Sequence, residues 1–187
     1  MRSLAFFFVA AFAGLVPDGA ALAFAWGIDH AKSGIAFAGA HMGNPFTGRF
    51  ESWDGNIEFD PAAPGSAVVL MTIDTASAKT GNATYDGTLP QADWFDVDAY
   101  PQARFEAFGA TAQGEGRFTL DGKLTIRSNS VPVSLPFEAS DKEARAEATI
   151  TLNRLDFGIG AESDPDGQWV SKEITVTTTL VAHPSAQ

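Results

Sequence analysis

Apolar residues recur at every second position along most of the chain beyond Trp26, and this alternation limits the fold more than any other feature. It runs through Ile35 and Phe37, Phe46 and Phe50, then Val69, Met71 and Ile73. It resumes in Phe118, Leu120, Leu124 and Ile126, in Val131, Val133, Leu135 and Phe137, in Ala146, Ala148, Ile150 and Leu152, and in Ile174, Val176 and Leu180. Charged and hydroxyl residues fill the gaps, as in Arg117, Thr119 and Lys123, or Thr175, Thr177 and Thr179. A period of two puts one side of each segment in a dry interior and the other in water, which is the pattern of antiparallel sheet. About eight such strands with no βαβ rhythm predict a sandwich or a closed barrel. Closure removes the exposed edges that an open sheet must protect.

Two places break the pattern. The apolar phase moves from even positions (Phe46, Phe50) to odd ones (Trp53, Ile57, Phe59). A one-residue slip turns a strand over, so a bulge or bend is expected near Trp53-Asp54-Gly55. The second break is Ala76 to Tyr100, which carries Gly81, Gly87 and Pro90. It reads as a long loop with one or two short helical turns, and a loop of that length suits a lid over a cavity.

The N-terminus reads as a secretion signal. Arg2 precedes an uncharged apolar run, Leu4 to Val16, followed by the small residues Ala20, Ala21, Ala23 and Ala25. Cleavage is expected after Ala25, so residues 1–25 are the signal and residues 26–187 one domain. The run is shorter than the roughly 20 residues that span a bilayer. The chain has no cysteine, hence no disulfide and no site for a thioether-linked lipid anchor. The expectation is a soluble periplasmic protein without a membrane anchor. A net charge of −11 repels phosphate backbones, which argues against nucleic acid as a partner.

Motifs for catalysis or metal binding are missing. His30, His41 and His183 fall at no metal-ligand spacing. There is no G-x-S-x-G, no Walker loop and no G-x-G-x-x-G. Asp93, Asp96 and Asp98 lack the glycine and final glutamate of a calcium-binding EF-hand loop, and they read as the acidic first turn of a helix. Asp164-Pro165-Asp166-Gly167 reads as a turn. No metal or cofactor is expected. What stands out is the aromatic content: 15 Phe, 4 Trp and 2 Tyr. An eight-stranded barrel either fills with side chains or holds one small ligand. Small residues opposite Ile35 and Phe37, and along Ala144, Ala146 and Ala148, leave room if they point inward.

Several segments, in order and spacing, carry a family resemblance. They are Trp26-Gly27-Ile28-Asp29 with Ser33, Gly48-Arg49-Phe50, and Ile57-Glu58-Phe59-Asp60-Pro61. Next come Thr80-Gly81-Asn82 with Asp86 and Leu89, Asp93-Trp94-Phe95-Asp96-Val97, and Tyr100-Pro101 with Phe105. Gly122-Lys123-Leu124-Thr125-Ile126, Pro132-Val133 and Asn153-Arg154-Leu155-Asp156-Phe157-Gly158-Ile159 complete the set. Together they make the chain resemble the YceI-like proteins, a periplasmic polyisoprenoid-binding family with a lipocalin-like barrel. Lys32, Tyr85 and Ser128 stand where that family usually has His, Arg and Gly.

The resemblance implies an all-β fold, an antiparallel eight-stranded lipocalin-like barrel with a short helical segment in the long loop. It implies a binding protein, not an enzyme, for an isoprenoid, fatty acid or fatty amide ligand. The expected lining is Phe37, Phe50, Met71, Trp94, Phe95, Phe105, Phe157 and Trp169. Arg154 or Arg49 is the expected contact for a polar or phosphate head, with an ion pair to a nearby Asp such as Asp156 as the alternative role for an arginine. Two other readings stand beside this one. Asp29, His41 and Asp156 are the groups an enzyme would use, and a solid barrel would make the protein a plain interaction module. A homodimer remains open.

Overall fold

The computed structural model describes residues 24–185. The expected signal lies outside the described residues except for Phe24 and Ala25, which open the first strand. Eleven strands occur among the described residues. They are β1 (Phe24–Ile28), β2 (Gly34–His41), β3 (Asn44–Phe50), β4 (Trp53–Phe59), β5 (Val68–Asp74) and β6 (Ala78–Lys79). After a short helix, α1 (Ala83–Thr88), follow β7 (Gln102–Gly114), β8 (Arg117–Ile126), β9 (Asn129–Ala139), β10 (Ala144–Asn153) and β11 (Glu173–Pro184). Eight of them close a ring in the order β1-β4-β5-β7-β8-β9-β10-β11, with β11 returning to β1. The expected antiparallel eight-stranded barrel is present, but its members are not the eight most strongly alternating segments. Five-residue β1 closes the ring, while β2, β3 and the two-residue β6 continue the sheet beyond β11.

This arrangement follows from one long strand that changes neighbours. Along one edge β11 pairs with β10 from Glu173 to Ala182. Along the other, Thr175–Thr179 pairs with β2 and Ala182–Pro184 with β1. Ser33, between β1 and β2, serves the backbone at the changeover. Its hydroxyl accepts from the Val181 amide at 2.9 Å and donates to the Val181 carbonyl at 3.4 Å. Val181 is buried there, so its backbone polar groups need such a partner. The phase shift falls at Glu51-Ser52, just ahead of the expected position, where the chain leaves β3 and enters β4. The bend is held by Glu51 N to Ser77 O (3.1 Å) and Asp74 N to Ser52 O (3.0 Å).

Inward residues form two clusters. The larger fills the ring and includes Trp26, Phe59, Met71, Phe105, Phe118 and Leu120. Trp26 is tolerated there because its indole N–H donates to the Phe59 carbonyl at 2.8 Å. The second cluster, with Phe37, Phe95, Phe157 and Ile159 at its centre, packs β2 and β3 against the long loop. That loop carries the expected helical turn. Asn82 caps α1 by accepting from the amides of Thr84 and Tyr85, and Asp86 accepts from both the amide and hydroxyl of Thr80 at 2.7 Å.

The second cluster is roofed by the 158–171 loop, and a buried ion pair shapes that loop. Arg154 is only 3% exposed, and its guanidinium donates to Asp164 Oδ2 at 2.8 Å and to the carbonyls of Ile159, Gly160, Asp164, Val170 and Ser171. Asp164 in turn accepts from the amides of Gln168, Trp169 and Val170. The partner of Arg154 is therefore Asp164 and not Asp156, which is exposed. Asp93 does not open a helix. Its carboxylate straps the same loop by accepting from the amides of Glu162 and Ser163, both at 2.9 Å.

Burial pushes the Asp164 carboxyl up, but the three amides and Arg154 outweigh it and hold the group below its ordinary value. Its contribution to stability is thus complete above the unfolded value of about 3.9 and is lost as pH falls through the lowered folded value. Asp164→Ala leaves a buried guanidinium uncompensated and is expected to cost about 3–5 kcal/mol in a denaturant titration. Asp164→Asn is expected to flatten the acid limb of the stability–pH curve, read by thermal melts from pH 6 downward.

Candidate functional site: an apolar cavity in the barrel

The ring is not solid. Ile57 and Phe59 of β4, Val69 and Met71 of β5, Phe105 of β7 and Leu120 of β8 form one wall of a cavity of about 160 Å³. Val133, Leu135 and Phe137 of β9 continue that wall, and Trp26 and Trp53 lie along it. The facing wall on β10 and β11 mixes Ile150, Val176 and Leu180 with the shorter Ala144, Ala146, Thr178 and Ala182. The room is the space those alanines and Thr178 leave, and within the Ala144–Ala148 run it is Ala144 and Ala146 that line it. Among the described residues lining the cavity, Arg145 at the rim is the one ionisable group. A cavity of about 150 Å³ with such walls accepts a benzene-sized apolar guest. A longer chain must displace side chains, and Met71, unbranched and pliable, stands in the wall.

Large rings pack flat on the sheet, inside the ring of strands and beyond it, where glycines lie beneath them. The Phe105 ring leans over Gly122 and the Phe37 ring over its cross-strand partner Gly48, each occupying the place a Cβ would take. Only glycine leaves that space on a pleated surface.

The expected site residues separate into three groups. Met71 and Phe105 line the cavity. Phe37, Phe50, Trp94, Phe95 and Phe157 belong instead to the second cluster, an aromatic plug over one end of the barrel. Phe50 links the two cores, with ring centroids 5.4 Å from Phe37 and 5.9 Å from Phe95. Trp94 lies 5.8 Å from the Arg154 guanidinium. The third group faces away: Trp169 is 56% exposed, Arg154 is consumed by the loop, and exposed Arg49 pairs with Glu51 at 2.6 Å. Trp26, Trp53, Phe59, Leu120 and Phe137 were not anticipated as lining. Their odd or even phase within each strand marks them as inward, but their depth along the barrel axis is a property of register.

Among the described residues no acid–base pair meets in the cavity. Asp29 is held below its ordinary value by a hydrogen bond from Lys32, 3.0 Å away. His41 Nδ1 lies 3.1 Å from the Tyr85 hydroxyl, whose ring seats α1 against β2. Asp156 faces solvent. None of the three lines the cavity. Among the described residues no cluster of His, Asp and Glu is arranged to hold a metal ion.

The YceI-like domain family matches residues 26–182. A UPF0312 protein of Pseudomonas syringae pv. tomato is 31% identical over 150 residues, 75% of this chain and 78% of that one. Among solved structures, Burkholderia cenocepacia BcnA superposes with a TM-score of 0.75 at 29% identity, covering 83% of this chain and 99% of its own. The YCEI protein of Campylobacter jejuni follows at 0.63 and 25% identity, covering 74% of this chain and 85% of its own. A polyisoprenoid binding domain from Saccharophagus degradans shares the fold at 0.69 and 17% identity, covering 87% of this chain and 99% of its own.

Gly122→Ala tests the packing of the cavity wall. The added methyl overlaps the Phe105 ring edge and, with the Glu106 carbonyl 2.8 Å away, forces the ring to turn. The expected cost is about 1–3 kcal/mol in a urea titration, with a cavity that takes up less of an apolar probe.

Proposed function

The chain belongs to the YceI-like family, and from that premise we propose that it binds one long-chain apolar or amphiphilic molecule of the polyisoprenoid or fatty acid/amide type. One observation carries the reading: a cavity inside a closed barrel whose walls are hydrocarbon, with Arg145 at the rim as the one ionisable group among its described lining residues. Each buried CH₂ contributes about 0.8 kcal/mol, so a long chain binds tightly without polar contacts. The same physics makes selection among similar chains soft.

The protein acts by holding its ligand, without chemistry on it. The candidate acid–base groups Asp29, His41 and Asp156 lie away from the cavity, which supports this reading. The N-terminal pattern of Arg2, the apolar run and Ala23-Phe24-Ala25 supports export and a place in the periplasm. There a water-insoluble molecule needs a soluble container for storage, transport or protection under stress.

Native mass spectrometry of the protein, purified mildly from its own host, tests the function. The expected spectrum shows a bound species that organic extraction removes and identifies as a lipid. A ligand-free protein that also takes up neither polyprenyl nor fatty probes contradicts it.

A further inference from the structure

The shortest ladder in the ring joins two of its longer strands, β9 and β10, through two register pairs, against three at each joint of the five-residue β1. β9 pairs with β8 along its length, from Ile126↔Asn129 to Arg117↔Glu138. It meets β10 only at Ala139↔Ala144 and Glu138↔Arg145, next to the turn that joins them. The sequence of β9 accounts for this. Pro132 and Pro136 have no N–H, and four residues apart on a strand they present their nitrogens to the same edge. Proline is tolerated where that edge is unpaired. With the β8 edge fully laddered, the missing donors fall on the β10 side, and paired register between the two strands stops at Glu138.

The cavity reaches this joint. Phe137 and Arg145 line both the cavity and a groove of about 370 Å³ on the outer face of the barrel. Gln113, Arg117, Glu138 and Glu147 supply its polar side, and Phe118, Thr119 and Pro136 complete the lining, so the groove is half polar and half apolar. Its charges are mixed: Arg117 pairs with Glu115 at 2.8 Å, Arg145 pairs with Glu147, and Glu138 lies between the two arginines in the strand register. It offers donors and acceptors of both signs and no surplus of positive charge.

We propose that this groove is the head-group subsite of the ligand. The apolar tail lies in the barrel, the chain passes out between β9 and β10 at Phe137 and Arg145, and an uncharged or zwitterionic polar end rests against Arg117, Glu138, Arg145 and Glu147. An anionic end meets Glu138 and Glu147 beside the arginines, on a chain of net charge −11, and is disfavoured. The subsite rests on the binding function proposed above.

Farnesol and farnesoic acid share one isoprenoid chain and differ in their polar end, and Trp26 and Trp53 in the cavity wall give a fluorescence readout for both. The protein is expected to bind farnesol about fivefold or more tighter than farnesoic acid at pH 8. Glu138→Gln with Glu147→Gln, both at exposed positions, is expected to narrow that ratio about fivefold, because removing two negative charges tightens the anionic farnesoic acid while a glutamine amide still offers the farnesol hydroxyl a hydrogen-bond partner. A ratio the double variant does not move overturns the subsite, as does a wild-type preference for the acid. The absence of cysteine allows a second reading. A bulky maleimide on Arg145→Cys is expected to slow farnesol exchange, while the same label on Thr84→Cys in α1 leaves it unchanged. The opposite pattern places the doorway under the helical loop and overturns the proposal. A wild-type protein that binds neither compound overturns the binding function itself, and the subsite with it.

Discussion

The structure depends on β11 serving two neighbours along one edge. Its C-terminal residues, Ala182 to Pro184, pair with β1 and close the ring, while Thr175 to Thr179 pair with β2 and carry the sheet past it. Were β11 to pair with one strand alone, the apolar faces would form either an open sheet or a shorter barrel without its aromatic plug. Closure turns every inward side chain toward a common axis, and the interior must then fill or hold something. Here the rings of the lining come from β1, β4, β7 and β9, and the alanines from β10 and β11, so the filling is uneven and a cavity remains beside the alanines.

The same strand explains why the aromatic residues divide as they do. Phe37 and Phe50 sit on β2 and β3, which continue the sheet beyond the ring; their side chains join Phe95 and Phe157 in the second cluster, while Ile35 of β2 reaches the cavity. The plug is then held from above by the Arg154–Asp164 pair. Breaking one partner of such a pair is costly because the other is left charged and dry. That the guanidinium has an ion-pair partner and five carbonyls around it gives it a structural task and leaves it no donor directed at the cavity.

Much of this was legible in the residues. The period of two gives the sheet and its two faces, the even-to-odd shift locates the bend at Glu51-Ser52 to within a few residues, and the glycines and proline between Ala76 and Tyr100 announce a loop with a helical turn, which lies at Ala83–Thr88 and not at Asp93. The closing strand was not legible, because β1 is short and abuts the expected signal. Nor was the role of Asp164, since Asp-Pro-Asp-Gly describes a turn whether or not its first carboxylate is buried, and only the folded loop brings it to Arg154. The lining at Trp26, Trp53 and Phe137 depends on register between strands far apart in sequence. Pro132 and Pro136 did carry a local signal of an unpaired edge, one that acquires meaning once β10 is known to be the neighbour.

The central claim is that apolar ligands enter the barrel and do not merely coat exposed hydrophobic surface. Met71 lines the cavity, whereas Met42 is 69% exposed at the β2–β3 turn. Methyl NMR of the protein labelled at methionine, titrated with a long-chain isoprenoid alcohol, separates the two. The account predicts that the Met71 methyl resonance shifts and shows contacts to the ligand while Met42 stays in place. A shift confined to Met42, with Met71 unmoved, would contradict it.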